Sequence, residues 1–331
     1  MFHNISARQS PFTDGIHVSI SPCKLESTLR YLTAHYTPVR LEDVINTCNG
    51  MRLPPRPLLL TFDDAYASVA EIAAPLCWKY HLPAVFFVNA AFIDNHKLAP
   101  DNLICYVANI IGMRALNVAA RSVSGNGMPE LHSISEVFKK YLPTISLTDR
   151  EIFLDSLVRI SGVDGRDVAE NAKLYITKKQ LSCLGAYGFE IGNHTYTHTY
   201  CRSYTAQQIV SEVDRNKRVL EDYSGAKIRS FSLPYGSAKD LTVKLKNHLK
   251  CTGHQAIFLS ESVANAPVIN QYHLDRVSLC AESDGTLLME IEILPHVRAI
   301  RNKIYSKLNN LTRRCSSLAN ILSITNHRIK R

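Results

Sequence analysis

Two motifs in this sequence combine residue types that could bind a metal ion. LLLTF at 58–62 is followed at once by Asp63 and Asp64, and a second apolar run leads into His194, with His198 four residues later. Two adjacent carboxylates repel each other unless a cation lies between or beside them. Two histidines at this separation occur in metal sites, and neutral imidazoles suit zinc and neighbouring transition metals.

Each motif alone also has a purely structural interpretation. An Asp at the start of a helix is a common N-cap, and two polar loop histidines are ordinary in a chain that has 13. Together the motifs offer one Asp and two His as ligands, with a fourth position open for water, which is the pattern of catalytic zinc. Such a metal lowers the pKa of water to about 7, and the other Asp could accept the proton.

The elements around these motifs predict how the motifs could meet. Strands alternate with helices on both sides of a long interruption, which indicates a parallel sheet, open or closed into a barrel. The two motifs and a third, Leu233-Pro234-Tyr235-Gly236, each follow a predicted strand, and ligands bind at the carboxyl ends of parallel strands. The predicted strands are 58–62, 83–89, 188–194, 228–236, 255–259 and 273–279, and the predicted helices beside them are 24–36, 67–80, 177–185, 205–222 and 239–249.

The third motif predicts a sharp turn at the end of its strand. Pro234 restricts φ and Gly236 permits unusual values of φ. Such a turn can aim a backbone N–H into a cleft as an oxyanion donor. An ordinary turn is the alternative.

The interruption at 95–175 contains helical segments at 103–112, 133–141 and 148–160, joined by links such as SVSGNGMP. We interpret it as a mostly helical insertion over one end of the main domain. Because it lies between two site-bearing strands, we expect it to shape the access of a substrate.

Composition limits the class of protein. The 331 residues, 46% of them hydrophobic, can bury a large core. Nine irregularly spaced cysteines favour reduced thiols over a disulfide framework. No apolar run is long enough for a membrane span, and MFHNISARQS lacks the regions of a signal peptide. We therefore expect a cytoplasmic protein, with or without membrane association, although a start inside an element leaves room for an upstream segment.

The formal charge of +9 belongs to the C-terminal end. Nine Lys and Arg residues follow Glu292 and no acidic residue does, so the rest of the chain is formally neutral. Apolar residues recur there at helical spacing, namely Val297, Ile300, Ile304, Leu308 and Leu311. We expect a main domain at 1–295 and a basic amphipathic helix or tail at 296–331. The helix either packs on the domain or makes peripheral contact with a membrane or an anionic glycan through 297–331. No nucleic acid is expected, because interleaved aromatics are missing.

In order and spacing, TFDDA, HTYTH and SLPYG resemble the signature motifs of the polysaccharide deacetylases, also called the NodB-homology family or carbohydrate esterase family 4. The similarity extends over most of 1–280 and includes MFHNI, YLTAHYTPVRLEDV, PAVFFVN, YITKKQLSCLGAYGFEIGNHTYTH and HLDRVSL. The resemblance implies an α/β fold, a distorted (β/α) barrel. It also implies removal of N- or O-acetyl groups from sugars with one divalent metal ion, usually Zn²⁺.

Carried over by residue, the resemblance implies Asp63 as catalytic base and Asp64, His194 and His198 as metal ligands. The loop at Pro234 and Tyr235 would bind substrate, with the Tyr235 amide as the oxyanion donor. A general acid would protonate the departing sugar amine.

Three positions depart from the family's pattern. Ala65 stands where Gly is frequent, which is a mild change. Ser232 stands where an Arg usually tunes the catalytic Asp, and Arg276 is the candidate to replace that Arg, with a structural Arg as the alternative. The Leu-His motif that supplies the general acid is not evident, and His254 and His273 are candidates by position only.

The sequence therefore predicts a metal-dependent deacetylase of a polysaccharide, oligosaccharide or glycolipid. Two alternatives remain open. One is a catalytically weak relative that binds glycans or metal without hydrolysis. The other is a hydrolase of the same fold that acts on a non-sugar C–N bond.

Overall fold

The computed structural model describes residues 1–125, 127–201, 204–266, 268–279, 287–302 and 304. Its centre is a parallel sheet in the order β5-β6-β7-β8-β9. In chain order, the strands of these residues are β1 Asn4–Ile5, β2 Ser19–Ile20, β3 Thr37–Pro38, β4 Pro57–Leu58, β5 Leu60–Phe62, β6 Ala84–Val88, β7 Glu190–Asn193, β8 Ser230–Ser232 and β9 Ala256–Phe258.

Chain segments at both edges of this sheet close it into a ring. Phe2 bridges Phe62 of β5 in parallel, and Leu274 bridges Phe258 of β9. The Leu279 N–H donates to the Met1 carbonyl oxygen over 3.2 Å, which joins the two edge segments. The predicted distorted (β/α) barrel is therefore confirmed. The strand predicted at 273–279 is wrong, because that segment makes the single bridge at Leu274 in place of a regular ladder.

Helices surround the ring. They are α1 Pro22–His35, α2 Leu41–Ile45, α3 Ala74–Lys79, α4 Pro100–Tyr106, α5 Met113–Ser124, α6 Ile134–Glu136, α7 Leu147–Ser161, α8 Gly165–Ala172, α9 Lys178–Ala186, α10 Ala206–Ser224 and α11 Val243–Cys251. The π-helical segments Val69–Ala73, Val107–Ile111 and Val137–Tyr141 adjoin α3, α4 and α6. As their sequences predict, Thr177 and Thr205 form capping boxes that start α9 and α10.

Apolar side chains fill the ring and the space beneath its helices. Phe2, Phe62 and Phe86 stack across three neighbouring segments, with centroid distances of 5.5 and 5.0 Å. Gly192 of β7 lies where a Cβ would come within 2.3 Å of the Phe87 ring. Close packing of this kind explains why the strand before the histidine motif contains a glycine.

Five helices, α4 to α8, lie between β6 and α9. Two of them were not predicted, α5 and α8. Leu116 and Ala119 of α5 are buried together with Phe153 and Leu157 of α7, so these two helices form the core of this region.

A final helix, α12, covers 287–302 and 304. Of the tail predicted at 296–331, the part at 305–331, which includes Leu308 and Leu311, lies outside the described residues. None of the helices within the described ranges combines the length and the hydrophobicity that crossing a bilayer requires.

Candidate functional site

The ends of β5, β7 and β8 meet at one cavity of about 460 Å³. Asp63 and Asp64 follow β5, His194 and His198 follow β7, and Tyr235 follows β8, and all five line the cavity. These residues converge because the carboxyl ends of parallel strands meet at the same end of the barrel. Of the turn motif, Leu233 and Tyr235 line the cavity. Pro234 is not among the lining residues, so in this structure it shapes the turn.

Asp63 is held by a guanidinium group inside the ring. Nη1 and Nη2 of Arg276 donate to the two carboxylate oxygens over 2.7 and 2.8 Å. Nη2 also donates to Ser232 Oγ over 2.7 Å, and Nε donates to the Leu259 carbonyl oxygen over 3.0 Å. Burial alone would raise the pKa of Asp63, but the charges of Arg276 and His194 lower it below its usual value. Asp63 is thus ionised and oriented.

Asp64, His194 and His198 bring three ligand atoms within 4.8 Å of one another. Asp64 Oδ1 lies 3.4 Å from His194 Nε2 and 3.3 Å from His198 Nε2. Burial opposes ionisation of Asp64, but His198 and His194 hold its pKa well below the usual range.

The hydrogen bonds behind the two rings indicate which nitrogens carry protons. His194 Nδ1 lies 2.8 Å from the Ser232 carbonyl oxygen, which can only accept, so Nδ1 donates. His198 Nδ1 faces Asp101 Oδ2 over 3.4 Å. In the neutral rings both Nε2 lone pairs therefore point towards Asp64.

These residues fit a divalent cation. Asp64 Oδ1 is buried without a hydrogen bond among the described residues. When both rings are neutral, three electron-pair donors converge on one point, and a cation would bind all three. Without an ion, burial opposes protonation of His198, but Asp64 and Asp101 raise the pKa of its imidazole to about 9. A metal would replace that proton.

Buried amides hold the histidine loop. The Asn216 side chain donates to Asn193 Oδ1 over 2.7 Å and to the Val88 carbonyl oxygen over 2.8 Å. Asn193 Oδ1 in turn accepts from the Thr195 N–H over 3.0 Å, and Asn89 donates to the carbonyl oxygens of His194 and Thr195. The loop that carries both histidines is therefore rigidly connected to β6 and α10.

The backbone around the cavity is strained. Asp64, Ala65, Thr195, His198 and Tyr235 have φ between 55° and 72°, which is the left-handed region. Such conformations cost roughly 1–3 kcal/mol each in non-glycine residues and cluster at functional sites. They aim side chains of consecutive residues at one cavity. At Tyr235 the same conformation leaves the backbone N–H without an acceptor among the described residues.

Asp101 and His3, which the sequence analysis did not single out, also line this cavity. Asp101, in the first turn of α4, faces His198 and accepts from Tyr235 Oη with both oxygens over 2.7 Å. His3 has a buried Nδ1 without a partner among the described residues, and burial lowers its pKa. MFHNI, at the apparent start of the family resemblance, was the available signal for His3. Asp101 had none.

The two histidines that were candidates for the general acid lie elsewhere. His254 is buried behind β7, 3.2 Å from Asn193 Nδ2 through its Nε2. His273 is close to Asp275, at 3.7 Å. Neither lines the cavity, so both candidacies are wrong in this structure.

The insertion forms much of the cavity wall. Its contributors are Ala99, Asp101, Asn102, Ser135, Phe138, Lys139 and Pro143. Lys139 is exposed, so the rim of the cavity beside α6 faces solvent.

Sequence comparison confirms the resemblance over part of the chain. Residues 158–254 match a model of the polysaccharide deacetylase family. A bifunctional xylanase/xylan deacetylase of Cellvibrio japonicus is 36% identical over 72 residues, which are 22% of this chain and 10% of that protein. The match thus spans about a tenth of that relative's length.

Solved structures share the fold. The deacetylase PplD of Streptococcus pyogenes, solved with acetate, aligns over 88% of this chain and 96% of its own with a TM-score of 0.57 and 14% identity. IcaB from Ammonifex degensii aligns over 90% and 93% with a TM-score of 0.52 and 17% identity. A de-N-acetylase from Aggregatibacter actinomycetemcomitans aligns over 88% and 97% with a TM-score of 0.52 and 16% identity. These likenesses concern the fold.

Proposed function

We propose that this chain, a relative of the polysaccharide deacetylases, is a metal-dependent hydrolase that removes acetyl groups from a glycan. One observation carries the proposal. A carboxylate that Arg276 keeps ionised, Asp63, adjoins a three-ligand cluster in one cavity. A base beside an open metal site is what hydrolysis of an amide or ester needs.

Asp64, His194 and His198 would hold the ion, for which Zn²⁺ fits the donor set. When bound, it would supply Lewis acidity to the acetyl carbonyl and to water. Asp63 would take the proton of the attacking water. The unpaired Tyr235 N–H would donate to the oxygen that becomes negative, and removal of such a donor typically costs roughly 100- to 1,000-fold in rate.

His3 is the residue we assign to the leaving group. Its ring lines the cavity, and burial lowers its pKa, so the resting ring is neutral and would receive the proton that Asp63 takes from water before it passes that proton on. Transfer of that proton to the nitrogen lets the C–N bond break and releases acetate and a free amine. For an O-acetyl group, the same step releases an alcohol.

The cavity supports a sugar substrate. A volume of about 460 Å³ lies in the range of small-molecule sites and suits one acetylated sugar unit, while the open rim leaves space for the rest of a polysaccharide, oligosaccharide or glycolipid.

The first experiment measures zinc per chain and acetate release from acetylated chitooligosaccharides and acetylated xylan. The wild type should contain about one ion, and His194→Ala and His198→Ala should lose both metal and activity. Asp63→Asn should keep the metal and lose roughly 100- to 10,000-fold in rate. Asp14→Asn, an exposed carboxylate, is the matched control.

A chain that takes up no zinc on titration would refute the hydrolase. Full zinc occupancy without acetate release from either glycan would leave a glycan-binding relative, and release from simple non-sugar amides alone would indicate the other hydrolase.

A further inference from the structure

Helix α12 carries an apolar stripe that the described residues leave exposed. Its members are 41–60% exposed and recur at helical spacing, namely Leu288, Met289, Ile293, Val297, Ile300 and Ile304. An exposed apolar surface of this extent marks an interaction site.

The opposite face of the same helix is docked on the barrel. Leu287 is buried, and Ile291 packs against the main core. The Ala264 N–H donates to the Pro295 carbonyl oxygen over 3.2 Å, and Arg298 donates to the Ser262 carbonyl oxygen over 3.3 Å. The helix therefore has a fixed orientation, with its apolar stripe outward.

Charge identifies the partner. Arg301 is exposed on α12, and nine basic residues follow Glu292 without an acidic one. Glu292 itself pairs with Arg56 and accepts from Tyr36 Oη over 2.7 Å. A second copy would bring its own nine basic residues to those of the first, whereas an anionic surface would neutralise them.

We propose that this stripe docks on the surface of a membrane that contains anionic lipids. The helix would lie in the interface plane, with its apolar side chains among the acyl chains and its basic residues at the headgroups. Apolar burial and electrostatic attraction would then act together.

Docking would bring the cavity close to the lipid. Ser260 lines the cavity, and Ser262 and Ala264, a few residues further on, hold α12. An acetylated glycan attached to a lipid would then approach the cavity from the side of Ser260. This consequence rests on the proposed function, whereas vesicle binding does not.

Co-sedimentation tests the proposal with phosphatidylcholine vesicles and with vesicles that also contain phosphatidylglycerol. The wild type should bind the anionic vesicles, and added salt should weaken the binding. Combining Val297→Asp with Ile300→Asp should reduce binding at least tenfold, since two exposed apolar side chains that would enter the membrane are replaced by negative charges. Val243→Asp, at an equally apolar exposed position of α11, should bind like the wild type.

No binding to either vesicle, or equal binding by the double variant, would overturn the proposal. Concentration-dependent dimers that the double variant abolishes, without vesicle binding, would also overturn it and assign the stripe to a second copy. Acetate release from a soluble glycan should be unchanged in the double variant, so a failure here is separate from a failure of the hydrolase.

An independent observation concerns Asp101, which the insertion brings to the metal cluster. Its neighbour Asn102 is buried and donates to Tyr66 Oη over 2.8 Å and to the Phe12 carbonyl oxygen over 2.9 Å. Tyr175 Oη donates to Asn102 Oδ1 over 2.6 Å. The first turn of α4 is thus anchored to the barrel, and the Asp101 carboxylate is fixed behind His198.

We infer that Asp101 is a positioning residue for the metal site. Its contact with Nδ1 keeps the Nε2 lone pair of His198 directed at the ligand cluster, and its bonds to Tyr235 Oη fix the turn that carries the oxyanion donor. Carboxylates behind ligand histidines typically contribute about 10- to 100-fold in metal affinity.

Zinc titration of the purified chain tests this role without any activity measurement. Asp101→Asn and Asp101→Ala should weaken zinc binding by about 10- to 100-fold, Asp101→Glu should recover part of the affinity, and Asp14→Asn should bind like the wild type. Wild-type zinc affinity in a folded Asp101→Ala chain would overturn the inference. If Asp101→Ala does not fold, wild-type affinity in Asp101→Asn would do so.

Discussion

At the residue scale, the carboxylate of Asp63 pairs with the guanidinium of Arg276. Where the resembling family often carries Arg, this chain has Ser232, whose short side chain leaves space for a guanidinium from another segment. Ser232 Oγ accepts from Arg276 over 2.7 Å and itself contacts Asp63 Oδ2 over 3.3 Å. The positive charge therefore reaches the same carboxylate from the far edge of the ring.

Arg276→Met should impair the base without removing the metal. The loss of the guanidinium raises the pKa of Asp63, so the acid limb of the rate profile should move to higher pH, and zinc content should stay the same. The measurement is acetate release against pH. Arg229→Met is the control, because Arg229 pairs with Glu42 and Glu190 outside the cavity. Coincident pH profiles for Arg276→Met and the wild type would contradict the role.

At the element scale, β7 depends on buried polar partners. Asn193 connects forward to the histidine loop and backward to His254, whose Nδ1 lies 3.0 Å from Thr252 Oγ1. Burial lowers the pKa of His254 to about 3, so the folded chain keeps this ring neutral. A single histidine thus makes the strand below the site sensitive to acid.

Because of His254, the free energy of unfolding should decrease as the pH is lowered. The unfolded chain binds a proton at this ring below its ordinary pKa of 6.5, whereas the folded chain does not until about 3. The contribution is full above 6.5 and is lost progressively between those values, by about 2 kcal/mol from pH 7 to pH 5. Urea unfolding at pH 7 and at pH 5 measures this loss of stability. In His254→Asn the loss should be smaller than in the wild type by about 2 kcal/mol. The exposed His96→Asn should behave like the wild type, and an unchanged pH dependence in His254→Asn would contradict the assignment.

At the scale of the whole molecule, the metal cluster joins parts of the chain that are far apart. Asp64 follows β5, the histidines follow β7, and Asp101 belongs to the insertion. An ion bound at this point would connect these parts in the folded state alone, because the unfolded chain does not hold the ligands together.

Zinc should therefore stabilise the folded chain. Free zinc at about 100 times its Kd should add about 3 kcal/mol to the free energy of unfolding, with a higher Tm as the result. A chelator should reverse the gain, and His194→Ala should show none. Thermal unfolding with and without zinc checks this, and a wild-type Tm that zinc leaves unchanged would contradict the metal site.

Local patterns in the sequence were sufficient for the barrel and the centre of the site. Alternating strands and helices, capping boxes and strand-end motifs involve residues within a few positions of one another. These patterns did not predict the helices α5 and α8 or the irregular backbone of 273–279. Tertiary packing determines these three elements.

By itself, the sequence predicted the fold class and singled out Asp63, Asp64, His194 and His198 as candidates, since their two motifs follow buried strands and resemble those of a known family. Only the tertiary structure decided that Arg276 reaches Asp63, that Asp101 lies behind His198 and that His3 lines the cavity. These contacts join residues far apart in the chain. The geometry of these contacts depends on how the ring closes and how the insertion packs. The spacing of residues along the chain does not predict either.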